Sequence, residues 1–135
     1  VSLSNYAESA LINHLLGKTA FSMPATVYVA LFTADPGEAG SLSNEVPAAH
    51  GYARSAITSN MSSSAGGSVS SNTASIVFGP NTSSDWGTIT HVALIDSPTL
   101  GDGNILVSGE LSVPRLIQVG DKAEFEIGDL DLAFD

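Results

Sequence analysis

Three histidines, fourteen acidic residues and a surplus of serines are the groups here that could do chemistry. Their spacing limits what they can do. His14, His50 and His91 are too far apart for an HxxxH or HExxH metal pair. Each reads as an ordinary surface or hydrogen-bonded histidine, with His91 set apart because its strand becomes buried and a neutral ring there needs a partner. Serine hydrolysis needs a serine on a strained turn, and no GxSxG elbow is present. Glu124 and Glu126 share one face of a strand, and Asp129 and Asp131 share the next. Paired carboxylates could cleave a glycosidic bond or hold calcium, but alternating acids near a chain end more often make a solvated edge that blocks unwanted strand pairing. Asp102-Gly103-Asn104-Ile105 does not follow the calcium-loop order. Sugar recognition has one candidate set, Trp86 with Asp85, Asn81 and Tyr52; the competing reading makes Trp86 a core or corner anchor. With no cysteine there is no disulfide, thiolate zinc site or cysteine nucleophile. No glycine-rich loop precedes a helix, so nucleotide binding has no support. The expectation is no catalytic residue, no metal site and no cofactor.

The element that must hold these groups is residues 85–96, DWGTITHVALID. Alternation there gives way to an unbroken apolar run, the mark of a strand passing from a half-exposed position into a covered core. Residues 29–33, VALFT, echo 92–96, VALID, and the two read as the central strands of one β domain.

Around them the chain reads as follows. Residues 4–16 form one helix, with Asn5 and Glu8 as a capping box, Ala7, Leu11 and Leu15 in an apolar stripe beside Ile12 and Leu16, and Gly17 closing it. That stripe packs on its own sheet or faces a partner. Strands follow over 26–33 and 52–58, separated by a long loop, 35–51, whose length implies a function or pinning by neighbours. The small polar run 59–75 reads as a hairpin turning at Ala65-Gly66-Gly67, leading into Ile76-Val77-Phe78. Strands at 105–111 and 116–119 flank Pro114, and Val119-Gly120-Asp121-Lys122 reads as a hairpin-type turn. At Gly128 the apolar phase shifts from odd to even positions, which marks a bulge or a switch between sheets. The pattern predicts a mainly β single domain over 1–135: an antiparallel two-sheet sandwich, jelly-roll-like, with strands over 26–135 and one N-terminal helix.

The totals agree with a 135-residue domain that needs no staple. Charged residues make up 13%, about half the usual ~25%, which suits a surface partly covered by partners. A net charge of -10 repels phosphate backbones and anionic lipid surfaces, so neither nucleic acid nor membrane is an expected partner. No apolar run approaches the ~20 residues of a membrane helix. Residues 1–4 lack a basic segment with an apolar core behind it, so no signal peptide is expected.

Four blocks carry a resemblance: LSNYAESALINHLLGKTAFSMPATVYVALFTADP at the start, GYAR at 51–54, NTASIVF at 72–78 and DWGTITHVALID at 85–96. Together they resemble small virion proteins of tailed phages, commonly labelled tail-fibre-like, over nearly the whole chain. The resemblance implies a structural protein without enzyme activity, on the particle surface and assembled in the host cytoplasm. It implies a capsid decoration subunit or a tail-fibre-like module, with a symmetric homo-oligomer and major capsid or tail proteins as partners. A host-surface glycan-binding module is the alternative. No repeat or heptad shaft is present, so this chain alone does not make a long fibre.

Overall fold

The computed structural model describes residues 1–64 and 66–134. Ala65, at the tip expected for the serine-rich hairpin, and Asp135, last of the alternating acids, lie outside the described residues. In chain order the elements are β1 (Ser2–Leu3), α1 (Asn5–Leu15), β2 (Tyr28–Phe32), β3 (Ser55–Ala56), β4 (Val69–Ser71), β5 (Ile76–Phe78), β6 (Gly87–Ile95), β7 (Ile105–Ile117), β8 (Ala123–Phe125) and β9 (Asp131–Ala133). Among the described residues the chain is mainly β with one α-helix, as the alternation and turn spacing predict.

The two echoing segments are neighbours at the centre. β2 and β6 run antiparallel with Val29 opposite Leu94, Ala30 opposite Ala93 and Leu31 opposite Val92. Two similar peptides running in opposite directions therefore place their alanines face to face. β7 pairs with the other side of β6, and the short β1 and β3 finish the edges in the order β1-β7-β6-β2-β3. A second layer is built from two ribbons, β4 with β9 and β5 with β8. Val29, Leu31 and Ile89 of the sheet meet Ile76 and Phe78 of the ribbon, all buried. Phe125 stands edge-on to Phe78. On the opposite face Ala30, Phe32, Ala93, Ile95 and Ile105 form a smaller core, with Leu42 of the long loop packed on it.

β6 and β7 do not run in simple register. Ile89 faces Arg115 and His91 faces Glu110, so Thr90 alone stands against residues 111–114. The irregularity re-aims the side chains: Ile89 and Val92, three apart, both reach the main core. Pro114 thus sits where the ladder is already broken, rather than between two separate strands.

The helix cap differs from the expected one. Ser4 is the N-cap, accepting the Ala7 N–H at 3.1 Å, and Asn5 is the first helical residue. Ser4 is buried and its hydroxyl also donates to the Ile105 carbonyl, so the same side chain ties the helix to β7. Gly17 closes the helix at φ 67°, with Lys18 N–H bonded to the Asn13 carbonyl and Gly17 N–H to His14. Of the apolar stripe only Ala7 is buried; Ile12, Leu15 and Leu16 are exposed.

Three other expectations change. The strand expected over 52–58 shrinks to Ser55–Ala56, because Tyr52 and Arg54 are drawn into the interior. The turn at 119–122 forms, with Gln118 N–H bonded to the Asp121 carboxylate, but it joins β7 to β8 in a different layer and so makes no hairpin. The serine-rich segment doubles back through a Met61–Asn72 bridge, while its strand β4 pairs with β9. At Gly128, φ 84°, the chain leaves the β5 ribbon and enters the β4 ribbon, the sheet switch read from the phase change.

Candidate functional site

The most elaborate polar arrangement lies inside the protein. Arg54 donates to both carboxylate oxygens of Glu45, at 2.8 and 2.7 Å, and to the Ser97 and Asp102 carbonyls at 2.8 and 2.9 Å. Tyr52 Oη donates to Glu45 at 2.9 Å and accepts the Leu31 N–H at 2.9 Å. The Arg54 and Glu45 side chains are 0% and 4% exposed. Burial first, then the Glu45 carboxylate, pushes the Tyr52 phenol well above its ordinary range. Burial alone would lower the Arg54 guanidinium, but its bonds to Glu45 outweigh that and raise it. Every polar atom is occupied by a partner, so the cluster has nothing free to offer a substrate. What it does is pin. The long loop bearing Glu45 and the turn 96–104 are both fastened to the strand end bearing Tyr52 and Arg54.

Sequence reasoning placed Tyr52 in a sugar-binding set and missed Glu45 and Arg54. A signal for Arg54 existed, since one of only four basic residues alternates with an aromatic in GYAR. Nothing local marked Glu45 as its partner.

The set Trp86, Tyr52, Asn81 and Asp85 does gather at one corner, but mostly inward. Trp86, Tyr52 and Asn81 are 3%, 3% and 2% exposed, and Asp85 alone faces solvent. Trp86 meets Tyr52 edge-on at 5.6 Å and donates its indole N–H to the His50 carbonyl at 3.0 Å. Asn81 donates to the Ile117 carbonyl. The corner is a core anchor with no exposed aromatic face.

The histidines take separate local roles. His14 Nδ1 accepts the Phe21 N–H, His50 contacts the Ser83 and Ser84 hydroxyls, and His91 Nδ1 pairs with Thr90 Oγ1. Among the described residues no three His, Asp or Glu gather where a metal could sit. Asp129 accepts the Glu126 N–H, and Asp131 accepts the Ser71 hydroxyl. These acids organise turns and ribbons.

Two further surface features stand out among the described residues. A groove of about 810 Å³ opens between the β6–β7 face and the β8–β9 segment. Leu111, Ile117 and Phe125 are among its apolar walls, while Glu110, Asp121, Glu124, Asp129 and Asp131 line it together with Arg115 and Lys122. Away from it, the end of α1 presents bare apolar side chains. No helix among the described residues is long and apolar enough to cross a membrane.

A family model described as Podophage GP4 fiber I protein gp80 matches residues 2–133. No curated protein matches the chain.

Proposed function

The chain belongs to the podophage fibre I protein family, and on that premise we propose that it is a non-enzymatic structural module carried on the outside of a tailed-phage virion. The single observation that carries this reading is the family match over residues 2–133. Two further features support it. The polar cluster most able to do chemistry is saturated by internal partners, and large apolar side chains stay exposed on a chain with few charges. Such a surface suits a subunit assembled with copies of itself and with other virion proteins, after synthesis in the host cytoplasm. Among exterior roles a tail-fibre-like module ranks ahead of a capsid decoration subunit, in keeping with the family's description. A host-glycan-binding role has less support, since Trp86 and Tyr52 are buried.

Copy number tests the choice. Quantitative mass spectrometry of purified virions carrying this chain is expected to find it at the stoichiometry of tail components. A stoichiometry matching the major capsid protein would replace the fibre reading with decoration, and its absence from washed virions would overturn both.

A further inference from the structure

Two parts of this surface are incomplete in the single chain, and they complement each other. The first is the end of α1, where Ile12, Leu15 and Leu16 are 56%, 81% and 66% exposed and Met23, just beyond, is 88% exposed. The helix is fastened at its start, through Ser4 and the buried Ala7, and among the described residues the apolar side chains at its far end stay uncovered. The second is the groove between sheet and ribbon, whose apolar walls include the exposed Val113, in the broken part of β7, and Leu116, where the ladder has resumed.

Charge selects between possible occupants. The segment from Ser9 to Ala34 contains Lys18 and no acidic residue, in a chain whose net charge is -10. The groove is bordered by five acids against Arg115 and Lys122. A neighbouring copy's acidic surfaces would be repelled there, whereas its helix end brings a positive charge and bare apolar side chains together. Pairing two helix ends symmetrically would instead set Lys18 against Lys18 and leave both grooves open.

We propose that the end of α1 of one copy seats in the sheet–ribbon groove of the next. This deepens the structural-module reading above and rests on it. Such a contact joins unlike surfaces, so each copy keeps one free helix end and one free groove. Repetition closes a ring if the rotation allows, and otherwise grows a column.

The cysteine-free sequence permits a direct test. Leu15→Cys and Val113→Cys variants are purified separately, checked by thermal melting, mixed and oxidised. Both positions are exposed, so melting temperatures should match the parent. The mixed Leu15→Cys/Val113→Cys disulfide is expected as the main dimer, and adding Leu16→Glu to the first variant should abolish it. Dominant Leu15→Cys homodimers would overturn the proposal in favour of symmetric helix pairing. Oligomers in sedimentation of the parent protein, without the mixed disulfide, would overturn this contact and spare the assembly reading. A parent protein that stays monomeric at every concentration would contradict both.

Discussion

Arg54 illustrates how a scarce charge is used in this chain. Its guanidinium is closed off by Glu45 and two carbonyls, so removing it strands a buried carboxylate. Arg54→Ala should destabilise the fold by about 3–5 kcal/mol, the usual cost of breaking a buried pair from one side. Chemical denaturation measures this, and combining it with Glu45→Gln should cost less than the two changes summed. Tyr52 gives a pH signature. Its phenol ordinarily ionises at 10.0, and in the folded protein burial and Glu45 hold the proton to higher pH. Between those limits the folded state binds more protons than the unfolded one, so stability falls as pH rises beyond about 10. Tyr52→Phe should flatten that alkaline decline in the melting temperature, while lowering stability at neutral pH by about 1–3 kcal/mol because Leu31 N–H and Glu45 lose a partner. Trp86 shows why such residues were hard to read. Sequence lists the groups a sugar site would use, but only tertiary packing reveals that the indole points inward.

Elements were more legible than residues where periodicity carried the information. The phase shift at Gly128 was visible because alternation on both sides is strict, and the backbone there changes ribbons at φ 84°. A Cβ at this position meets nothing within 4 Å, so any penalty is conformational. Gly128→Ala and Gly128→Val should therefore both lose about 1–3 kcal/mol, and an unchanged melting curve for either would remove the reason for glycine. The helix was legible in extent but not in its cap, because Ser4 and Asn5 are both good caps and the choice is made by Ser4 reaching the Ile105 carbonyl. Ser4→Ala should cost about 0.5–2 kcal/mol from the lost cap alone. The 52–58 strand was overread for the opposite reason. Its alternation is real, but the inward face is occupied by an ion pair and a phenol that close a loop, and only Ser55–Ala56 stays in the ladder.

At the scale of the molecule, the central place of the two echoing segments was readable from the sequence, but their direct antiparallel pairing, Tyr28–Phe32 against His91–Ile95, was seen only in the fold. The division of the second layer into two ribbons was not readable, because three-residue strands carry too little pattern to reveal their partners. Nor did amphipathicity show which part of the helix face would stay uncovered: the stripe is continuous in sequence, whereas packing consumes only its beginning. That exposed remainder, a saturated interior and a family match along nearly the full chain are what support a structural role. Electron microscopy of virions labelled with a gold-tagged antibody against this chain tests the exterior structural role most directly. Label confined to the tail fibres is expected; label spread over the capsid shell would replace the fibre reading with decoration, and no label on intact particles would contradict the structural role itself.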